Sequence, residues 1–98
     1  MITRNKILNL IRTHRHQLRK YGVKEIGLFG SYARDEQSPG RDIDILIDFE
    51  PESENFDNYM ASCEFIENLF ESEKVDIVTK NGLSPYIGPA ILKEVYYV

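Results

Sequence analysis

A chain of 98 residues is one domain with one core, burying roughly 60–70% of its unfolded surface and leaving no second lobe to close over a substrate. With 42% hydrophobic and 29% charged residues it reads as globular, and its net charge of −4 argues against a general nucleic-acid binder, which needs a basic face to displace counterions. The single cysteine, Cys63, excludes an intrachain disulfide, no apolar run approaches the ~20 residues of a membrane span, and MITRNKILNL lacks a signal-peptide core, so a soluble, cytoplasmic protein is expected.

Taken in order, Thr3 to Tyr21 reads as a helix, with Ile7, Ile11 and Leu18 on its apolar stripe. Gly22 supplies the stop, and Arg19 and Lys20 suit the negative end of the helix dipole. The basic cluster Arg12, His14, Arg15, His16, Arg19 and Lys20 is best read as a solvated face. His14 and His16 lie two apart, so on a helix they do not share a face and make no metal site.

Val23 to Phe29 is a short strand, and Gly30-Ser31 turns the chain into a short helix near Tyr32. Free backbone N–H groups at such a turn are a natural phosphate seat; Gly30 permits close approach and the Ser31 hydroxyl adds a donor. The spacing is not that of a P-loop. Arg34 either meets a phosphate or pairs with Asp35, Glu36 or an aspartate to hold the loop. Ser38-Pro39-Gly40 marks a loop up to Arg41.

The strand from Asp42 to Phe49 follows. Alternate strand residues share a face, so Asp42 and Asp44 point one way while Ile43, Ile45, Ile47 and Phe49 point into a core. Two carboxylates held so close repel unless a cation lies between them, and Mg²⁺ is the natural candidate. Asp48 lies too far along the strand to share that ion and is expected to be a solvated strand end. Pro51 to Asn55 is an acidic linker, with Ser53 or Asn55 as a helix cap. Phe56, Tyr59, Met60, Cys63, Ile66, Leu69 and Phe70 then fall at helical spacing and are expected in the core. Lys74 to Thr79 is a third strand whose one acid, Asp76, can join Asp42 and Asp44 if the two strands are neighbours. Ser84 to Val98 reads as a terminal helix capped by Ser84.

Gly30-Ser31-x-Ala33-Arg34, a polar loop, then Asp42-Ile43-Asp44 entering an apolar strand resembles the signature of the nucleotidyltransferase superfamily with a DNA polymerase β-like palm. The short length makes the chain most similar to the minimal nucleotidyltransferases, the MntA-type antitoxin partners of HEPN-domain toxins. Two positions depart from that pattern: Asp35 stands where glycine commonly follows the arginine, and Arg41 where serine commonly precedes the first aspartate. The resemblance implies an α/β (α+β) fold, a small mixed β-sheet packed by helices, over residues 1–98. It also implies catalytic and metal-binding roles for Asp42, Asp44 and Asp76, with two Mg²⁺ ions, and nucleotide binding by Gly30, Ser31 and Arg34. ATP is the implied donor, and a tyrosine of a HEPN toxin the implied acceptor. The alternatives are a non-catalytic antitoxin module and a small-molecule nucleotidyltransferase of the aminoglycoside-modifying kind, whose usual added helical domain this chain lacks.

Overall fold

The computed structural model describes residues 2–98. The chain runs through helix α1 (Arg4–Lys20), strand β1 (Val23–Phe29), the one-turn helix α2 (Gly30–Ala33) and strand β2 (Ile43–Phe49). A 3-10 turn (Pro51–Ser53), helix α3 (Phe56–Leu69) and strand β3 (Val75–Thr79) follow. A second 3-10 turn (Lys80–Gly82), helix α4 (Gly88–Glu94) and the two-residue strand β4 (Tyr96–Tyr97) complete it. The four strands form one mixed sheet in the order β3-β2-β1-β4. β1 is antiparallel to β2 and β4, while β2 and β3 run parallel. This is the small mixed sheet packed by helices that the sequence implies.

Local chemistry sets the boundaries. The Thr3 hydroxyl accepts the Lys6 N–H at 3.2 Å and caps α1. Gly22, in the left-handed region at φ +85, lets the chain leave the helix directly for β1. The Asn55 side chain accepts the Asn58 N–H at 2.8 Å and starts α3. The core lies on one face of the sheet, where Ile7, Ile11 and Leu18 of α1 meet Ile26, Leu28, Ile43, Ile45, Ile47 and Phe49, with Ile66 and Phe70 joining from α3 and the residue after it. Among the described residues no helix is long and apolar enough to cross a membrane.

Three expectations need correction. The apolar stripe of α3 is buried only in part: Ile66 and Phe70 are in the core and Tyr59 and Leu69 pack against it, with Ser62 buried too, whereas Phe56 is 74% and Met60 48% exposed. Both fall in the first half of α3, and Phe56 lines an open groove with Ile77 and Val78 of β3, the edge strand of the sheet. Asp48, expected in solvent, is only 7% exposed and lies 3.8 Å from the Lys24 ammonium. Its neighbour Leu46 is buried too, so the second face of β2 is covered after Asp44. Finally, the tail is not one helix. Ser84 closes a turn, its hydroxyl accepting the Tyr86 N–H at 3.1 Å, and α4 ends at Glu94 so that Tyr96 and Tyr97 can pair with β1. The Val98 N–H extends that pairing to the Ile26 carbonyl at 2.9 Å.

The partial burial of the α3 stripe can be checked by urea unfolding. Ile66→Ala should cost about 2–5 kcal/mol, as for other buried aliphatic truncations, and Phe56→Ala no more than about 0.5 kcal/mol, as for an exposed site. Equal losses from the two variants would contradict the packing described.

Candidate active site

β1 and β2 are paired so that Phe29, the last residue of β1, lies opposite Asp44. The chain then turns sharply at Gly30, whose φ of +77 lies in the left-handed region. A Cβ at this position would run into the Asp44 carboxylate, so glycine is required by both backbone and space. Ser31 follows, 6% exposed, and the Glu36 N–H donates to its carbonyl at 2.8 Å, closing the turn on itself. Gly30, Ser31, Arg34, Gly40, Arg41, Asp42 and Asp44 line a cleft of about 340 Å³.

The third acid arrives through the sheet. Parallel pairing of β2 with β3 puts Asp76 directly beside Asp44, in a register that begins when the Ile43 N–H donates to the Lys74 carbonyl at 2.9 Å. Neighbouring strands are about 5 Å apart, so the two side chains leave the same face of adjacent backbones. Asp42 stands one residue before β2, exposed at the cleft. Asp76 is also exposed but lies beyond the cleft lining, on the edge strand. The three acids are therefore neighbours, although no three acidic, histidine or cysteine side chains among the described residues already converge as a coordinating set.

The strain of bringing these acids together appears at Asp44. Its carboxyl is pushed up to about 6, first by burial and then by the charges of Asp76 and Asp42. Glu94 raises it further, and Arg34 opposes the shift. Arg34 falls short of neutralising the group. A donor set of hard carboxylate oxygens with unrelieved mutual repulsion is what a divalent cation such as Mg²⁺ satisfies, and Asp42, Asp44 and Asp76 are the residues available to hold it.

Arg34 lines the cleft and is held there by two carboxylates. Its Nε donates to Glu36 at 2.8 Å and its Nη1 to Glu94 at 2.9 Å, and these two carboxylates hold the guanidinium firmly in its charged form. Asp35 adopts φ 60, the left-handed geometry that explains why glycine is usual there; aspartate is one of the few side chains that tolerates it. Arg41 lines the cleft beside Asp42 and brings a second guanidinium to its mouth.

Glu94 was invisible to sequence reasoning. It lies 60 residues from Arg34 and 64 from Gly30, yet one of its oxygens accepts the Gly30 N–H at 3.1 Å while the other accepts from Arg34. No periodicity or motif marks it, because α4 meets α2 only through tertiary packing.

The charge balance predicts a trade between stability and function. An acid whose folded pKa lies above its unfolded value destabilises the fold increasingly as pH rises through that folded value. Without divalent cation, Asp44→Asn should therefore melt higher than wild type at pH 8, with the gap closing as pH falls below about 6. A melting temperature equal to or below wild type throughout would remove the repulsion argument.

Comparison with known proteins agrees with this geometry. Residues 11–98 match the family model described as a nucleotidyltransferase domain. Protein adenylyltransferase MntA of Thermococcus cleftensis is 39% identical over 99 residues, covering all of this chain and 98% of the relative. A relative from Methanocaldococcus jannaschii is also 39% identical, over 101 residues and the full length of both chains. Among solved structures, a minimal nucleotidyltransferase superposes with a TM-score of 0.82 at 25% identity, covering 97% of this chain and 95% of that one. The toxin–antitoxin complex MntA–HpeT gives 0.63 at 19% identity, with 98% and 71% covered, a likeness of fold. The chain thus belongs to the nucleotidyltransferase domain family, among its minimal, MntA-like enzymes.

Proposed function

We propose that this nucleotidyltransferase is an Mg²⁺-dependent protein adenylyltransferase, a cytoplasmic antitoxin that moves AMP from ATP to a tyrosine of a partner HEPN-domain toxin. The observation that carries the reading is the strand register that sets Asp76 beside Asp44, with the Gly30-Ser31 turn packed against the same carboxylate. Relatives named as protein adenylyltransferases support the reaction class, and a fold neighbour solved as a toxin–antitoxin complex supports the kind of partner.

In this reading the tyrosine oxygen attacks the α-phosphorus of ATP, the bond to the bridging oxygen breaks, and pyrophosphate leaves. Asp42, Asp44 and Asp76 would hold the Mg²⁺ that the reaction needs. When bound, Mg²⁺ supplies Lewis-acid stabilisation of charge on the attacking and leaving oxygens. Asp76, exposed on the edge strand, is open to the incoming hydroxyl and takes its proton. Ser31 and the Gly30 turn seat the β- and γ-phosphates, and Arg34 and Arg41 set positive charge at that end of the cleft. The acceptor's own surface completes the site around the open cleft.

A second reading, an antitoxin that binds without turnover, is favoured by one observation: Arg34 is already paired with Glu36 and Glu94. Intact-mass measurement separates the two. The chain is incubated with a purified HEPN toxin, ATP and Mg²⁺. Wild type should add AMP to toxin tyrosine, while folded Asp44→Asn should lose roughly a hundredfold or more in rate, as when a charge-stabilising group is removed. Tight binding without any adduct would favour the second reading. Full activity in Asp44→Asn would end the metal assignment.

A further inference from the structure

Glu94 lines a depression with Arg4, Ala33, Arg34 and Tyr96 that adjoins the cleft but is separate from it. Arg34 borders both. Glu94 therefore reaches the Gly30-Ser31 turn from behind, one oxygen on the Gly30 N–H and the other on Arg34, without itself lining the cleft. Its side chain is 30% exposed, so these charge-assisted contacts are only partly screened.

Glu94 is well anchored. The strand that follows it pairs with β1 through Gly27–Tyr97 and Leu28–Tyr96. Gly27 accepts this close approach because a Cβ there would meet Val95 and the Tyr96 carbonyl. From the other side, Arg4 donates to the Ala33 carbonyl at 3.0 Å and lies over the Tyr96 ring at 5.1 Å, tying α1, α2 and β4 together. The carboxylate is thus held on rigid elements at both flanks, the condition for orienting another group.

We infer that Glu94 is a positioning residue for the triphosphate end of the site. It fixes the Gly30 backbone in its left-handed turn and aims Arg34, so that Ser31 and the guanidinium meet the β- and γ-phosphates already arranged. This rests on the nucleotidyltransferase reading of the cleft. Sharing Arg34 between two carboxylates looks inhibitory, but it leaves the guanidinium on the cleft wall in a fixed orientation. Disordering it would cost more binding than its residual pairing does.

The test compares Mg²⁺–ATP with AMP, which lacks the two phosphates concerned, by titration calorimetry on the full chain. Glu94→Ala should lower the preference for ATP over AMP about tenfold, the scale of losing hydrogen bonds to a charged group. Glu94→Gln keeps one acceptor oxygen for one of the two donors and should fall between wild type and the alanine variant. Exchange of the Gly30 amide with deuterium should quicken in the same order. If Glu94→Ala does not fold, Glu94→Gln alone carries the comparison, with a few-fold loss expected. ATP binding that is unchanged or tighter in a folded variant would overturn the inference, the tighter case marking Glu94 as a competitor for phosphate. A wild-type protein with no preference for ATP over AMP would instead count against the nucleotide reading itself.

Discussion

The parallel pairing of β2 with β3 is the contact on which the rest depends. Two strands that need not be neighbours lie side by side in a register that matches Asp44 to Asp76. A slip of one residue would put Asp76 on the core face among isoleucines, because side chains alternate with period two. The register is therefore specified by burial: Ile43 and Ile45 of β2 must face the core beside Val75 and Ile77 of β3, and the acids follow on the opposite face. The core thus aligns the acidic face.

That alignment has an energetic consequence. Ionising Asp44 in its half-buried place beside Asp42 and Asp76 opposes folding, and a divalent cation held among them would relieve that opposition.

Much of this was legible in the residues. Gly30, Ser31 and the alternation from Asp42 to Phe49 fixed a turn and a strand face, because glycine geometry and strand period are local rules. What escaped was tertiary. The exposed positions of Phe56 and Met60 depend on how α3 docks on the sheet, and helical spacing carries no such information. Tyr96 and Tyr97 pair with β1 because an edge was available, which no window of sequence reveals. Glu94 has the same cause: its partners are 60 or more residues away. Asp35 is the opposite case. Its departure from the familial glycine was visible in the sequence, and the structure supplies the reason that aspartate can stand there, a left-handed φ of 60.

The central claim, that three acids from two strands act as one cation site, is tested most directly by NMR of the isolated chain. Side-chain carboxylate signals of its aspartates are followed while Mn²⁺ is titrated at trace levels, then displaced by Mg²⁺. The account predicts that Asp42, Asp44 and Asp76 broaden together and recover together, while Asp48 and Asp57 are unaffected. Broadening of Asp42 and Asp44 with Asp76 untouched would contradict it.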